Sequence, residues 1–362
     1  MQMNSHFYTV IMAGGVGSRF WPLSKQKYPK QFLDVLNTGR SLFQATYERF
    51  AQICPRENIY IVANKDYSEI IREQIPGISD DVILAEPIAR NTAPCVAYAA
   101  YKIKQKDPLA TMVVAPSDHL IMNEGIFLES IGQAMDFASQ KDVLVTLGIK
   151  PNRPDTGYGY IQFEDDDKNE GFFPVKTFTE KPSLEIAESF VESGEFLWNA
   201  GIFIWNVQAV TLAIQNHLPE VASCFDSIEN AYYTASEEDF VTNAYADCPT
   251  ISIDYGIMEK ADNVFVQEGD FGWSDIGTWN SLFQFVDKDK DNNAIKGKFV
   301  FTRNTKDCII NISDDKLLAV NNVKDLIIVE SENIILVADK SQEQDIRHVV
   351  NEIKSKYREK FI

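Results

Sequence analysis

The sequence predicts an α/β protein in which a mixed, mainly parallel sheet with flanking helices precedes a small β-rich domain. Three observations predict it. Short apolar runs alternate with helical patterns up to about residue 150, looser strand and helix patterns follow, and five closely spaced strand-like runs come near the end. Apolar strands that alternate with helices are typical of parallel sheets with right-handed crossovers. Evenly spaced short strands indicate a small β-domain or a short solenoid.

The first 150 residues provide the parallel part of the sheet. Its strands are predicted at 8–13, 59–63, 82–85, 111–115 and 143–147, where the apolar runs are short and several are rich in Val and Ile. Helical patterns lie between them, at 41–53, 68–74, 92–103 and 127–139. After residue 150, predicted strands at 158–163, 173–178 and 201–205 and a helix at 184–192 extend the sheet.

A highly charged run at 287–293, Asp-Lys-Asp-Lys-Asp-Asn-Asn, predicts a linker. We therefore expect a larger domain over residues 1–288 and a smaller one over residues 289–362. In the smaller domain, strands are predicted at 299–302, 308–312, 316–320, 326–330 and 334–337, and an amphipathic helix is predicted at 342–357.

Composition limits the kind of partner. The net charge is −19, which argues against binding to polymeric nucleic acid and against docking on an anionic membrane. No apolar stretch is long enough to span a bilayer, and the N-terminus lacks the features of a signal peptide. The five cysteines are scattered without a metal-like spacing, which indicates reduced thiols. We therefore expect a cytoplasmic protein.

One segment departs from this acidity. Residues 1–40 contain five basic residues and a single acid, Asp34. Such a local reversal of charge suits the capture of a small polyanion, and chance variation of surface charge is the alternative. The basic residues are Arg19, Lys25, Lys27, Lys30 and Arg40.

A glycine-rich turn, Ala-Gly-Gly-Val-Gly-Ser-Arg at 13–19, follows the first predicted strand. Glycines let backbone N–H groups approach phosphate oxygens, and Arg19 and Lys30 would supply the charge that a triphosphate requires. A dinucleotide fingerprint would need a small residue in place of Phe20, and a Walker A motif would need Gly-Lys-Ser/Thr. A purely structural turn is the alternative. The predicted nucleotide-binding residues of this segment are Ala13, Gly14, Gly15, Gly17, Ser18, Arg19 and Lys30.

Two aspartates are candidate metal ligands. Asp118 follows Ser117, a predicted nucleotide-binding residue, at the end of a predicted central strand, where open α/β sheets bind ligands. Asp275 lies in the string Gly-Trp-Ser-Asp-Ile-Gly-Thr-Trp. Two separated carboxylates suit Mg²⁺, which completes its coordination shell with phosphate and water oxygens. Capping of a helix or turn is the alternative for both. His119 would contact a ligand or hydrogen-bond to a residue of the site.

Two strings carry residue types that suit a phosphorylated sugar. Tyr158 and Gly159 would offer an aromatic face and a close approach to a sugar ring, and a glycine-rich hairpin is the alternative. Glu180 and Lys181 place a carboxylate for sugar hydroxyls beside an ammonium for a phosphate monoester, although such neighbouring pairs are usually solvated.

Two further strings contain polar groups that need partners. Asn199 lies in an apolar strand, where a sugar hydroxyl or a backbone group would satisfy it, and Asp254 would reach a hydroxyl or cap a helix. The third predicted strand leads into Glu-Pro-Ile-Ala-Arg-Asn-Thr-Ala-Pro at 86–94. The Glu86 carboxylate or backbone carbonyls of this string would accept hydrogen bonds from N–H donors of a nucleotide base. Asn91 and Thr92 would also lie at the nucleotide, with helix capping by Asn91 as the alternative.

Together these strings resemble the signatures of nucleotidyltransferases that make nucleotide sugars. The turn is similar to that family's loop G-G-x-G-x-R-x-x-P-L followed by P-K, and here five residues separate Leu23 from Pro29. The strings around Arg90, Asp118, Lys181, Asn199 and Asp275 are similar to those of the guanylyltransferase branch, and the resemblance covers about residues 7–285. It implies a Rossmann-like, glycosyltransferase-A-like catalytic domain and a left-handed β-helix-like C-terminal domain.

The resemblance also implies a role for each matching residue. Arg19 would hold the β- and γ-phosphates and Lys30 would lie near the α-phosphate. Lys181 would bind the sugar phosphate, with Glu180 and Asn199 on sugar hydroxyls. The implied catalytic residues are Arg19, Lys30, Asp118, Lys181 and Asp275, of which Asp118 and Asp275 would bind Mg²⁺.

The reaction that the resemblance implies is transfer of GMP from GTP to mannose 1-phosphate, which gives GDP-mannose and pyrophosphate. The β-rich domain with its terminal helix favours a homodimer. Some relatives continue into an isomerase domain for which this chain ends too soon, so we expect a single activity. A heptose or fucose 1-phosphate acceptor, or a catalytically silent homologue that binds nucleotide sugar, are the alternatives.

Overall fold

The computed structural model describes residues 4–164, 170–227 and 230–362. The chain divides into two compact units, each built from separate stretches. The first unit comprises the chain up to Gly14, Thr46–Ser117 and Ile121–Trp273; the second comprises Gly15–Ala45, Asp118–Leu120 and Ser274–Ile362. The expectation that there is no signal peptide rests partly on residues 1–3, which lie outside the described residues.

Strands occur throughout the described chain and are numbered in chain order. They are β1 Phe7–Met12, β2 Ile59–Asn64, β3 Ile83–Glu86, β4 Thr111–Pro116, β5 Leu120–Ile121, β6 Leu144–Ile149, β7 Gly159–Phe163, β8 Phe172–Glu180, β9 Phe196–Asn206, β10 Val264–Glu268, β11 Trp273–Ser274, β12 Ala294–Lys296, β13 Phe299–Lys306, β14 Ile309–Asn311, β15 Leu317–Lys324, β16 Leu326–Ser331 and β17 Ile334–Asp339.

The α-helices of the described residues are α1 Leu42–Phe50, α2 Ser68–Gln74, α3 Thr92–Lys106, α4 Glu124–Ser139, α5 Leu184–Ser193, α6 Val207–His217, α7 Pro219–Asp226, α8 Glu237–Asp247, α9 Trp279–Phe283 and α10 Ile346–Tyr357. Shorter helical elements include the 3-10 segments Ser18–Phe20 and Lys340–Asp345. A π-helical turn spans Asp254–Met258.

The first unit contains a nine-stranded sheet in the order β3-β2-β1-β4-β9-β6-β10-β8-β7. Parallel pairs join β1 to β2 and β4, β2 to β3, and β6 to β10. Antiparallel pairs join β9 to β4 and β6, and β8 to β10 and β7. Within the described residues, seven strands therefore run in one direction, and β8 and β9 run in the other. The predicted mixed, mainly parallel sheet with flanking helices is confirmed.

Small side chains let a helix pack closely on this sheet. Helix α3 presents Ala97 and Ala100, both fully buried, to the core that contains Val10, Val62 and Val114 of the central strands. The central strands are buried along nearly their whole length. This is why they read as continuous apolar runs without a period-two alternation.

The second unit ends in short parallel strands. Strands β12, β14 and β16 pair in parallel, β17 pairs antiparallel to β16, and β13 pairs in parallel with β15. The core of this unit includes Phe20 and Trp21, which directly follow the glycine-rich turn, together with Trp279, Ile327 and Ile346. The boundary predicted at residue 288 stays a prediction. The two compact units are divided at other residues, because Gly15–Ala45 and the stretch from Ser274 belong to the same unit as the C-terminal strands.

Two predicted elements have different limits in the structure. Strand β9 begins at Phe196 rather than at residue 201, because the side chain of Asn199 is satisfied within the sheet and does not interrupt the strand. The predicted helix 342–357 is wrong in its first turn. That turn is 3-10, with Gln342 at φ −110° and ψ 25°, and α10 begins only at Ile346.

Among the described residues, the helices are too short or too polar to cross a bilayer.

Candidate active site

The glycine-rich turn leaves β1 and enters the one-turn helix Ser18–Phe20. Gly15 and Gly17 have φ values of +83° and +68°, a region that favours glycine. A Cβ at Gly17 would come within 2.5 Å of the Lys30 Cβ, so a larger residue would displace Lys30. The glycine at position 17 is therefore required both by backbone conformation and by the approach of Lys30.

Side chains and amides behind the turn hold its carbonyl groups. Gln31 Nε2 donates to Gly15 O at 3.1 Å, Lys30 N donates to Val16 O at 3.3 Å, and Ser24 Oγ donates to Gly17 O at 2.6 Å. In a trans peptide the C=O and the following N–H point in opposite directions. The N–H groups that follow these carbonyls therefore point away from the protein partners, which is the orientation that a phosphate-binding turn needs.

Lys30 ties two segments of the second unit together. Its Nζ lies 2.7 Å from Asp118 Oδ2 and donates to the carbonyl oxygens of Asp275 at 3.0 Å and Ile276 at 2.8 Å. The residue is only 3% exposed. An ammonium has three donors, and here three protein oxygens accept them. Contact of Lys30 with the α-phosphate stays a prediction, and it would require one of these bonds to give way.

Asp118 and Asp275 fit the chemistry of a magnesium site. Burial raises the pKa of Asp118, but the charges of Lys30 and His119 outweigh it and hold that pKa below its ordinary value, so the carboxylate is ionised. Asp275 Oδ1 accepts from Gly277 N at 2.9 Å, and a Cβ at Gly277 would lie 2.6 Å from Asp275 Oδ2. Among the described residues no three His, Cys, Asp or Glu side chains could hold a metal together. Two carboxylates suffice for Mg²⁺ when phosphate supplies further oxygens.

Arg19, the other predicted phosphate-binding cation, is half-buried. Its Nε donates to Gln344 Oε1 at 2.8 Å. Sequence reasoning missed Gln344, because a lone polar residue near the C-terminus carries no local signal.

In the first unit, Asn199 and Asp254 form a buried polar pair. Asn199 Oδ1 accepts from Thr146 Oγ1 and from Gly201 N, both at 3.0 Å, and its Nδ2 donates to Asp254 Oδ1 at 3.0 Å. Burial, with the nearby charge of Glu180, raises the pKa of Asp254 to about 7. Asp254 is the first residue of the π-helical turn, but Ile253 is its N-cap residue and no side-chain cap bond forms, so capping by Asp254 is not observed; its contact with a sugar hydroxyl stays a prediction.

Glu180 presents an acceptor that lacks a partner. Its Oε1 accepts from Lys181 Nζ at 2.6 Å, whereas its Oε2 is buried without a hydrogen bond among the described residues. A Cβ at Gly159 would contact that oxygen, so the glycine keeps the space beside it open. An unsatisfied buried acceptor costs free energy unless a donor arrives. A sugar hydroxyl is a donor of the required kind.

Lys181 directly follows Glu180 in the chain, and its backbone is hydrogen-bonded to Tyr158. Lys181 has a left-handed backbone, φ +49°, and its N donates to Tyr158 O at 3.2 Å. Burial lowers the pKa of Lys181, but the bond and charge of Glu180 outweigh it and raise that pKa. The Tyr158 ring packs edge-on against Trp198 and Trp273 at 5.1 and 5.2 Å. Arg153, which sequence reasoning did not single out, lies 5.0 Å above the Trp198 ring.

The string after β3 is held to the segment that contains Asp254. Asn91 Oδ1 accepts from Thr92 N at 2.8 Å, which is the capping role given as its alternative. Thr92 Oγ1 accepts from Ile253 N at 2.9 Å. Arg90 donates to the carbonyl oxygen of Tyr245 at 3.0 Å, so it ties this string to the end of helix α8. Nucleotide binding by Asn91 and Thr92 stays a prediction.

Glu86 is 8% exposed, and its Oε1 accepts from Tyr245 Oη at 3.0 Å. Burial outweighs this bond and raises the pKa of Glu86 to about 7. Ser117 lies at the end of β4 and is buried, and its carbonyl oxygen accepts from Thr46 Oγ1 at 3.2 Å. The roles of Glu86 and Ser117 at a nucleotide stay predictions. Tyr245 is a further residue that the sequence did not reveal.

The structure thus brings together two sets of the predicted residues. In the second unit these are Gly15, Gly17, Ser18, Arg19, Lys30, Asp118 and Asp275. In the first unit they are Tyr158, Gly159, Glu180, Lys181, Asn199 and Asp254. Ala13 and Gly14, the first two residues of the turn, belong to the first unit.

Two family models match the chain. The model described as nucleotidyl transferase matches residues 8–292, and the model described as MannoseP isomerase/GMP-like beta-helix domain matches residues 300–353. The predicted β-solenoid-like C-terminal domain is confirmed. The handedness of its turns stays a prediction.

Similar proteins agree with these matches. A mannose-1-phosphate guanylyltransferase from Salmonella montevideo is 37% identical and covers 98% of this chain and 75% of its own. A crystal structure of a mannose-1-phosphate geranyltransferase from Thermus thermophilus is 30% identical, with a TM-score of 0.86 over 96% of this chain and 99% of its own. A mannose-6-phosphate isomerase structure from Helicobacter pylori is 27% identical, with a TM-score of 0.61 over 74% of this chain and 99% of its own.

The pH dependence of stability tests the environment of Glu86. Because its folded-state pKa is raised from 4.5 to about 7, the folded protein retains a proton that the unfolded chain releases in that interval. The stabilisation is therefore complete below about pH 4 and is lost as the pH rises through 7, by up to roughly 3 kcal/mol. Glu86→Gln should remove this loss, since glutamine is neutral and still accepts from Tyr245.

Urea unfolding at pH 4, 6 and 8 would measure this difference. We expect Glu86→Gln to match the wild type at pH 4 and to exceed it at pH 8. Glu69→Gln, which changes an exposed glutamate, is the control and should follow the wild type throughout. Parallel pH profiles for Glu86→Gln and the wild type would contradict the assignment.

Proposed function

Since the chain belongs to the nucleotidyl transferase family, we propose that it transfers GMP from GTP to mannose 1-phosphate, with release of pyrophosphate. The guanylyltransferase named in Salmonella montevideo, matched over nearly the whole of this chain, supports the choice of substrates. One observation supports the proposed chemistry most directly. Beside a glycine turn whose N–H groups point outward, the Lys30 ammonium contacts the Asp118 carboxylate and the carbonyl oxygen of Asp275, and so links the two segments that contain these aspartates.

The polyphosphate of GTP would bind at the glycine turn. The outward N–H groups would donate hydrogen bonds to the phosphate oxygens but carry no net charge. Arg19, whose side chain is half-buried, would supply positive charge. Asp118 and Asp275 would hold Mg²⁺, and the proposal is supported by the ionised state of Asp118. When bound, this ion would neutralise charge on the phosphates as the reaction proceeds.

The sugar phosphate would bind through Lys181 and the polar groups near it. The ammonium of Lys181 suits the phosphate, and the orphan Glu180 Oε2 and the Asn199–Asp254 pair suit sugar hydroxyls. An oxygen of the sugar phosphate attacks the α-phosphorus in line, a new P–O bond forms, and the bond to pyrophosphate breaks. The attacking phosphate already carries negative charge, so the step requires no general base. The protein would act by positioning and by stabilising charge.

We also propose a homodimeric protein in the cytoplasm. Phe299 and Phe301 of β13 and Leu317 of β15 are exposed, and their register places them on one apolar face. Such a face favours association with a second copy. The cysteines, all free thiols, support a reducing compartment.

A pyrophosphate-release assay tests the substrates. We expect turnover with GTP and mannose 1-phosphate in the presence of Mg²⁺, and little turnover with ATP, UTP or dTTP. Glucose, fucose and heptose 1-phosphates serve as alternative acceptors. Preference for another sugar phosphate would correct the acceptor, and binding of GDP-mannose without any turnover would indicate a catalytically silent homologue.

Asp275→Asn tests the metal site. Asparagine retains an oxygen for Gly277 N, so the local turn survives, while the negative charge is lost. We expect turnover to fall by about two orders of magnitude or more, since charge stabilisation of this kind contributes several kcal/mol. Asp270→Asn, which changes an exposed aspartate, is the control. Turnover like that of the wild type at saturating Mg²⁺ would remove Asp275 from the metal site.

Lys181→Ala tests the sugar-phosphate site. We expect KM for mannose 1-phosphate to rise about tenfold or more, because a charge-assisted bond to phosphate is lost, while KM for GTP changes little. Lys176→Ala, at an exposed lysine of β8, is the matched control. A change confined to KM for GTP would contradict this role.

A further inference from the structure

The turn that carries Arg19 rests on the C-terminal end of the chain. Phe20 and Trp21 are buried in the core that also contains Ile346 and Val350 of α10. In addition, Trp21 Nε1 donates to Phe361 O at 2.8 Å, a bond between residues 340 positions apart. The backbone that directly follows Arg19 is therefore held by the C-terminal residues of this chain.

The same C-terminal region also holds the Arg19 side chain. Arg19 Nε donates to Gln344 Oε1 at 2.8 Å. Gln344 belongs to the 3-10 segment Lys340–Asp345, which is itself fastened. Glu343 Oε2 accepts from Asn280 N at 2.8 Å, and Asn280 Nδ2 donates to Lys340 O at 2.9 Å. The acceptor for Arg19 thus sits on a restrained piece of backbone.

The chemistry of this contact suits a residue that orients a cation. A guanidinium has five N–H donors in one plane, so a bond at Nε leaves both terminal nitrogens for a two-pronged contact with phosphate. An amide oxygen is a neutral acceptor, so Arg19 keeps its full charge. A carboxylate at position 344 would neutralise Arg19 and compete with a phosphate for it.

We propose that Gln344 is a positioning residue, which orients the Arg19 guanidinium for polyphosphate and makes the C-terminal segment part of the nucleotide site. The inference rests on the proposed function in one respect, that Arg19 binds the polyphosphate. It adds a residue of the β-helix-like domain to those that position the substrate for the reaction. Gln344 acts through Arg19 and is not itself a ligand.

The primary measurement is binding of inorganic tripolyphosphate with Mg²⁺ by calorimetry, which does not depend on turnover. We expect Gln344→Ala to weaken binding about fivefold, as loss of one orienting hydrogen bond implies. Gln344→Glu should weaken it further, because its carboxylate pairs with Arg19. Arg19→Ala should weaken binding at least as much as Gln344→Ala.

A double-mutant cycle separates positioning from a general effect on folding. In the Arg19→Ala background, Gln344→Ala should have no further effect, since the group that it orients is gone. Gln342→Ala, which changes an exposed residue two positions away in the same 3-10 segment, is the matched control and should bind like the wild type. Thermal unfolding of Gln344→Ala should match the wild type, because the side chain is exposed.

In turnover, Gln344→Ala should raise KM for GTP and leave KM for mannose 1-phosphate unchanged. The inference is overturned if Gln344→Ala binds tripolyphosphate like the wild type, if its loss is the same with and without Arg19, or if Arg19→Ala does not weaken binding. If the expected binding pattern appears but the wild type turns over no GTP, the inference stands and the proposed function fails.

Discussion

The buried ammonium of Lys30 is the interaction on which the second unit depends. It meets Asp118 Oδ2 and the carbonyl oxygens of Asp275 and Ile276, and almost none of the residue is exposed. A buried cation is stable only when acceptors replace water, and removal of one charged partner typically costs about 3–5 kcal/mol. Three stretches that are distant in the chain must therefore stay together, which explains why this compact unit is assembled from separate segments.

The glycine turn follows from the same constraint. Lys30 reaches Asp118 only because Gly17 has no Cβ to block its stem, and the N–H of Lys30 holds one of the turn's carbonyl groups. The cation that joins the two aspartates thus also helps to set the direction of the turn's N–H groups. The residues that we propose to bind phosphate and a divalent ion are in this way parts of one arrangement.

Some of the buried polar side chains near Glu180 in the first unit have fewer hydrogen-bond partners than Lys30 has. Asn199 has partners for its oxygen and its nitrogen, but Glu180 Oε2 has none among the described residues, and Asp254 has a pKa of about 7. Such groups cost stability in a folded protein, and this cost is what the proposed sugar-phosphate site would explain. The extensive apolar core around the central strands offsets this loss of stability.

The sequence by itself determined most strands and helices up to β9, five strands of the C-terminal domain, the glycine turn and the strings that mark the family, but not helices α6 to α9 or strand β10. Those features depend on backbone preference and hydrophobic pattern within a few neighbouring residues. Only the tertiary structure decided that Tyr245 meets Glu86 across 159 positions, that Gln344 meets Arg19 across 325, and that Lys30 is enclosed by three oxygens. The reason is physical: desolvation, charge pairing and hydrogen bonding depend on which distant groups share a small volume, and a local pattern does not contain that information.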